Sequence, residues 1–490
     1  MTVTGSLFRS NRFSLLAGGL HWLSTFFTER LVFKVPPTAH LLNYILCKLI
    51  VLAALIAFWE LIRQALLSPQ RRESPLRQYL LCALPCLAFT AVWLVLFHPF
   101  VLSGDELNLY ERAIRLDSFA FWFNYPSGYY WISSLMIFPH PMGPVFIKVL
   151  LQALTAGYCV ARQNRITGRS TGWLIYLLFL LPFVLDQGIS AHRLPTYGIL
   201  YLFFAAKLLY DRLEQRSLSL KTLILLSAVV GLLAIWRSEG IYLIPLGGIL
   251  LFTAYRLKWG KALLKPALIY VLTLVLIALP QLQGYLDSEA GVTLRTKPLC
   301  GYVLCNMFRN GLTEEMISEE RESIEGYLKL STVAEYNAIY GDQNYGSSLI
   351  MSGTEEADYE TQDRFCNGVK RVVLRYPLIY LRSQWNAWRY TSSQYPLDFS
   401  HGVLRGLRFL SYRLWLPCLL VLFTCLFALL RRKWLVFWLS GGAMINWLLV
   451  FLLMPAAYPK YFYVNYLLGY FFALMGLCFL FGRKRNGKAA

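Results

Sequence analysis

Two adjacent carboxylates, Asp105 and Glu106, open the stretch SGDELNLYERAIRLDSF (residues 103–119), a few residues beyond the apolar run LCALPCLAFTAVWLVLF. Further along lie DQGISAHRLP, with Asp186, His192 and Arg193, and WRSEG, with Arg237 and Glu239. PAAYPKYFYVNY adds Tyr458, Lys460, Tyr461 and Tyr463. Each group sits at the end of an apolar run. Charge at the edge of hydrocarbon is costly unless it is paired or faces a wet cavity. A carboxylate together with two or three cations at a membrane boundary suits transfer from a lipid phosphate. The cations would dock the phosphate and stabilise charge as it leaves, while the carboxylate takes a proton from an acceptor hydroxyl or amine.

A purely structural account competes with this. Ser103 and Glu106 have the spacing of a capping box, and acids in a first helical turn suit the helix dipole. A helix over roughly 104–122 puts Asn108, Glu111, Arg112 and Arg115 on one face and Leu109, Ala113, Leu116 and Ala120 on another, and Glu111 is spaced to pair with Arg115. Adjacent residues point about 100° apart on a helix, so one acid can cap while its neighbour faces a cavity. For Arg237 the structural alternative is pairing with Glu239 or snorkelling to headgroups.

These residues have to be positioned by membrane helices. The chain of 490 residues is 57% hydrophobic and only 15% charged, and uncharged runs of about twenty residues recur along it. Long unbroken apolar runs exclude the alternating pattern of a barrel, which leaves an all-α polytopic membrane protein. About eleven spans are expected, near 41–62, 78–97, 144–161, 171–187, 196–210, 220–236, 240–256, 264–282, 412–430, 433–453 and 461–482. The apolar stretch 13–33, interrupted by TER, either spans or lies along the interface. The short run YYWISSLMIF reads as re-entrant or interfacial. The net charge of +20 is spread in small clusters between spans, which points to anionic headgroups and against nucleic acid as a partner.

With the loop after 97 outside, the basic loops RQALLSPQRRESPLR, RQNRITGR, DRLEQRSLSLK, RLKWGKALLK, RRK and GRKRNGK all fall inside, as the positive-inside bias requires. The sequence divides into an N-terminal interfacial or transmembrane extension (1–77), a transmembrane module (78–282) with its first outer loop at 98–143, an outer domain (283–405) and C-terminal helices with a basic tail (406–490). The outer domain, expected to be of mixed structure, carries the acid-rich runs TEEMISEERESIEGY and GTEEADYETQDRF, read as a surface helix and a solvated turn region. RVVLRYPLIYLRSQWNAWRY (371–390) reads as a surface helix packed on the membrane domain or as a sugar-binding face. Two of Cys300, Cys305 and Cys366 can pair if the compartment is oxidising. No paired CxxC spacing suggests zinc.

The Asp-Glu pair in GDELNLYERAI, then PSGYYWISSLMIF, then GPVFIKVLLQAL entering the next helix, resembles the glycosyltransferase C superfamily, which includes protein O-mannosyltransferases and lipid A aminoarabinose transferases. GLLAIWRSEGIYLIPLG and PKYFYVNYLLGYFF are similar to its small-charged-glycine segment and its late aromatic segment. The resemblance covers the layout from about 78 to 482; the spans before 78 depart from it. It implies an inverting transferase that moves a monosaccharide from a polyprenyl-phosphate donor on the outer face of a bacterial plasma membrane, to a glycan, lipid or protein acceptor. It maps the loop acid, the general base, onto Asp105, with Glu106 beside it. Arg237, Glu239, His192, Arg193, Lys460 and Tyr461 follow by location as contacts to lipid phosphate and sugar. Some members use a divalent metal; without an outer cluster of carboxylates, no metal or other cofactor is expected here. An O-antigen polymerase or ligase, and a transporter or flippase, are the rival readings. The first would place histidines in the large outer loop, which has none before His401, and the second would show repeats and polar midplane helices.

Overall fold

The computed structural model describes residues 12–67, 75–97, 102, 104–118, 124–257, 260–286, 291–340, 358–393, 402–454 and 457–482. Its regular structure is helical, with no strand among the described residues. The helices are α1 (Arg12–Thr28), α2 (Leu41–Leu67), α3 (Pro75–Leu96), α4 (Asp105–Ala113), α5 (Tyr125–Ile137), α6 (Gly143–Thr167) and α7 (Tyr176–Phe179). They continue with α8 (Pro182–Ile189), α9 (Arg193–Leu213), α10 (Leu220–Trp236), α11 (Leu243–Tyr255), α12 (Lys261–Leu286), α13 (Gly291–Arg309) and α14 (Arg321–Glu325). The last are α15 (Leu330–Tyr340), α16 (Tyr359–Arg375), α17 (Pro377–Thr391), α18 (Gly402–Ser411), α19 (Trp415–Leu430), α20 (Trp434–Leu453) and α21 (Tyr463–Gly482).

Among the described residues, six helices are long and apolar enough to cross a bilayer, at 37–64, 75–96, 143–167, 263–281, 434–453 and 459–482. Two bent pairs, Ser170–Phe179 with Pro182–Ile189 at 65° and Leu404–Ser411 with Trp415–Leu430 at 44°, bring the number to eight. The protein is therefore an all-α membrane protein. The other three expected spans differ for physical reasons. α10 and α11 have 17 and 13 residues, and at 1.5 Å per residue α11 falls well short of a hydrocarbon core of about 30 Å. α9 is long enough, but Arg193, Lys207, Asp211 and Arg212 lower its apolarity. It is instead the central helix of the main core, with Tyr197, Tyr201, Leu202, Phe204 and Leu208 buried.

α1 and α2 form an antiparallel hairpin whose buried polar centre is Lys48. Its ammonium lies 2.7 Å from Glu29 and 2.8 Å from the Thr25 hydroxyl, and Tyr44 donates to Glu29 at 2.8 Å. The acid in the TER interruption is thus neutralised inside the fold. This hairpin supports α4. Tyr44, Cys47 and Val51 of α2 share a core with Leu109, Ala113, Trp131 and Ile132, and Asn43 donates to the Leu116 carbonyl at 3.1 Å. α5 meets the chain after α4 closely: a Cβ on Gly128 would lie 2.2 Å from the Ser118 carbonyl oxygen, so only glycine fits there.

At the opposite end of α6 and α9, Arg162 binds Asp211 at 2.8 Å and Glu214 at 3.1 Å, and the Tyr255 hydroxyl donates to Asp211 at 2.6 Å. This buried network ties the ends of α6, α9 and α11 together.

The segment 283–405, expected to be mixed, has helices joined by short turns and no strand among its described residues, and has its own core of Leu304, Met307, Ile317, Ile324, Phe365 and Val369. In TEEMISEERESIEGY the helix is broken into a short turn at Glu315–Ile317 and α14. GTEEADYETQDRF is not a turn region at its C-terminal end: Asp358 caps α16 by accepting from the Thr361 N–H at 2.8 Å, and residues 353–357 lie outside the described residues. RVVLRYPLIYLRSQWNAWRY is two helices, because Pro377 ends α16 and opens α17. α17 docks on the end of α20, where Gln384 donates to the Leu452 carbonyl at 3.1 Å. Cys300, Cys305 and Cys366 are buried free thiols, and the Cys300 Sγ lies 3.9 Å from the Cys366 carbonyl.

Candidate functional site

α4 begins abruptly. Gly104 stands at the N-cap with φ of +53°, a conformation glycine adopts without strain, and no side chain caps the helix. Ser103, the cap expected from the sequence, lies outside the described residues. Glu106 has another use. It is only 5% exposed, and its carboxylate meets Nδ1 of His192 at the start of α9. Asp105, one position earlier, points away from it and is exposed.

The rest of α4 follows the expected faces only in part. Leu109, Ala113 and Leu116 are buried as expected, while Ala120 lies outside the described residues. The helix stops at Ala113 instead of running to 122, so Glu111 and Arg115 are not one turn apart on it. Arg112 makes the ion pair instead, with Asp117 at 2.7 Å, and also donates to Asn108 at 3.0 Å.

His192 is the meeting point of the site. Its Nδ1 faces Glu106 from α4 and the Lys460 ammonium at 3.4 Å from the turn before α21. Its backbone carbonyl accepts from the Lys148 ammonium at 3.2 Å, and the same ammonium donates to the Ser190 carbonyl and lies 3.4 Å from the Ser190 hydroxyl. Lys148 stands in the second turn of α6 and is 1% exposed. It is a buried lysine with no carboxylate in contact among the described residues, held by the backbone it braces. The sequence reading missed it, although a lone lysine inside the apolar run GPVFIKVLLQAL was the available signal.

Arg193 donates to the buried Ser127 hydroxyl of α5 at 3.1 Å. Its charge is felt by Asp105, Arg237 and Tyr461, and the Lys460 charge is felt by both Asp105 and Glu106. Arg237 is buried and makes a two-pronged ion pair with Glu239, while its guanidinium lies 5.4 Å from the Tyr461 ring. The structural alternative for Arg237 is thus what its contacts show, and it rims the cation cluster from behind Tyr461. Lys460 itself lies 5.0 Å from the Tyr458 ring. Asp105, Glu106, His192, Arg193, Arg237, Glu239, Lys460 and Tyr461 therefore converge from four separate parts of the chain. Asp186 does not join them. It accepts from Trp93 at 2.8 Å, Arg408 at 3.0 Å and Tyr412 at 2.8 Å, which fastens α8 to α3 and α18.

Electrostatics set the protonation of the central pair. Burial works against the Glu106 charge, but the His192 contact and the Lys460 charge outweigh it and hold this carboxyl below its ordinary range. Burial pushes the His192 imidazole down and Lys460 adds to that, against Glu106 which pulls it up. Both directions favour a carboxylate beside a neutral imidazole. Among the described residues, no group of three or more histidine, cysteine, aspartate or glutamate side chains is arranged to hold a metal ion. A cation cluster of this kind can bind an anion, and its acids and imidazole can accept a proton.

No protein-family model, curated protein or solved structure matches the chain.

Proposed function

We propose that this protein is a membrane glycosyltransferase that moves a monosaccharide from a polyprenyl-phosphate donor to a glycan, lipid or protein acceptor on the outer face of a bacterial plasma membrane. The fold that goes with this reading is glycosyltransferase C-like, with about eleven helical segments in or across the membrane. The observation that carries it is the convergence of Arg193, Lys460 and His192 beside the acids of α4. The three cation-bearing segments that meet there are α9, the turn at Pro459–Phe462 and the connection after α10. Arg193 and Lys460, with Arg237 close by, gather positive charge at one place, and that costs desolvation energy which anion binding offsets. A phosphate on an isoprenoid chain is an anion that suits cations placed at the ends of apolar helices.

In the reaction, Arg193 and Lys460 hold the donor phosphate and stabilise its growing charge as the sugar leaves. Arg237, already paired with Glu239, sets the potential behind Tyr461. Asp105 enters as the general base that the resemblance nominates; its carboxylate is exposed, with no hydrogen-bond or ion-pair partner among the described residues, and is open to an acceptor.

The test is binding of the simplest probe. Full-length protein in lipid nanodiscs should bind a polyprenyl phosphate and not the corresponding polyprenol, and Lys460→Met and Arg193→Gln should each weaken the phosphate by about tenfold or more, the scale of one charge-assisted hydrogen bond. Equal affinity for phosphate and alcohol, or variants that bind like wild type, would rule the reading out.

A further inference from the structure

His192 was expected to contact phosphate, and its hydrogen bonding argues for a different task. Nδ1 is a single atom and cannot both donate to Glu106 and accept from Lys460. An ionised carboxylate only accepts, so the Nδ1 proton points at Glu106 and Lys460 is left as a neighbouring charge. In a neutral imidazole the other nitrogen, Nε2, then carries a lone pair. Nε2 has no hydrogen-bond partner among the described residues, and the side chain keeps 30% of its surface exposed. A lone pair is a poor ligand for a phosphate and a good acceptor for a proton.

The pair is also braced. Glu106 sits on α4, which Asn43 and the α1–α2 hairpin hold in place. Lys148 grips the carbonyls of Ser190 and His192, and the Ser190 hydroxyl donates to the Gln187 carbonyl at 2.9 Å, so the backbone carrying the imidazole is fixed from α6 and α8. A base oriented by a second group, itself fixed by a third, is the arrangement that proton-transfer sites share. Asp105 has no comparable support.

We propose that His192, oriented by Glu106, removes the proton from the acceptor, in place of Asp105, and that Lys148 is the positioning residue for the imidazole. This rests on the glycosyl-transfer reading and names the group that performs one of its steps. The acceptor oxygen or nitrogen bonds to the anomeric carbon of the sugar while its proton passes to Nε2. The bond from that carbon to the phosphate oxygen breaks, and its electron pair stays with the polyprenyl phosphate. The imidazolium left behind lies against the Glu106 carboxylate, which stabilises it until water takes the proton. Asp105 keeps an electrostatic part, opposite Arg193 and Lys460.

The charged groups facing His192 are Glu106 from α4, Lys460 from the turn before α21 and Lys148 from α6, with Arg193 next in the chain directed at Ser127. They give the pH profile a signature. Transfer should rise with pH through the imidazole pKa, which lies below the ordinary value of about 6.5. Glu106 raises that pKa, so Glu106→Gln should move the acid limb to lower pH while lowering turnover. Lys460 lowers it, so Lys460→Met should move the limb to higher pH at saturating donor.

The experiment is transfer by full-length protein in nanodiscs, from a polyprenyl-phosphate sugar that wild type uses, across pH 4 to 9 (an experimental range of about five units around the imidazole value). His192→Gln should lose about 100-fold or more in turnover, within the range for a general base. Ring-nitrogen NMR of wild type with labelled histidine, which does not depend on turnover, should show the His192 signal with Nδ1 protonated and Nε2 bare. Transfer that persists in His192→Gln and collapses in Asp105→Asn would overturn this assignment and leave the transferase reading intact. An Nε2-protonated ring, or limbs that do not move in opposite directions, would also overturn it. Wild type that transfers from no donor at all would overturn both.

Discussion

Glu106 and Asp105 are chemically near-identical neighbours, and the fold gives them opposite surroundings. One faces inward to an imidazole and a buried core; the other is left in solvent opposite two cations. Adjacent positions on a helix diverge by about 100°, so this separation was available in the sequence, but which acid turned inward was not. That depended on His192, a partner eighty-six positions along the chain that meets Glu106. Lys148 makes a sharper case at the same scale. Its amine is held by the Ser190 and His192 carbonyls and the Ser190 hydroxyl, so it braces the 190–192 backbone. Lys148→Met should lower transfer at least tenfold, which corresponds to about 1.4 kcal/mol of transition-state stabilisation. The KM for donor should change little, and Lys148→Arg should restore part of the loss. Steady-state kinetics on the two variants check this, and a fully active Lys148→Met would contradict the bracing role. The protonation directions also fix an acid sensitivity. Glu106 and His192 both have folded-state values below their unfolded ones, so each contributes stability above its unfolded value that is lost as pH falls.

Helices supply this geometry through close contacts more than through propensity. α5 can approach the chain after α4 only because Gly128 lacks a Cβ, and Ser127 beside it receives Arg193. Gly128→Ala would drive a methyl into the Ser118 carbonyl, and overpacking of this kind costs about 1–3 kcal/mol. Thermal unfolding in detergent should show the loss, and transfer should fall with it because α4 and α9 separate. An Ala variant with unchanged melting and turnover would show that the contact is not made. The apolar runs read from the sequence became helices almost wherever they were expected, since a run of about twenty uncharged residues has few alternatives in lipid. Their role as spans was less legible. α9 reads as a membrane segment yet is largely covered by protein, because its tyrosine rings pack into the main core and its Arg193 and Asp211 ends have polar partners on other helices. Long-range partners of that kind leave no periodicity in a single chain. The same limit hid Arg408, an arginine of α18 that reaches Asp186 from 222 positions away.

The whole molecule separates two polar poles along its helices. At one end stand Glu106, His192, Arg193 and Lys460; at the other, Arg162, Asp211, Glu214 and Tyr255 hold the helix ends together next to the basic loops. If the basic loops are cytoplasmic, as the positive-inside bias expects, the second pole lies on that side. A cysteine placed at Glu111, exposed on α4, should therefore react with a membrane-impermeant maleimide in intact cells, and one at Arg216 should not react until the membrane is opened. Labelling in the reverse order would invert the topology and put the proposed chemistry on the wrong face. The N-terminal hairpin, which departs from the layout that the family resemblance implies, has a clear part at this scale: it is the platform under α4. The most direct measurement of the central claim is sugar transfer itself, with purified full-length protein in proteoliposomes supplied with a panel of radiolabelled polyprenyl-phosphate monosaccharides. The account predicts that label leaves at least one donor for an acceptor in wild type, and that transfer from that donor collapses in Lys460→Met. Label that stays on every donor, or moves equally well without Lys460, would contradict it.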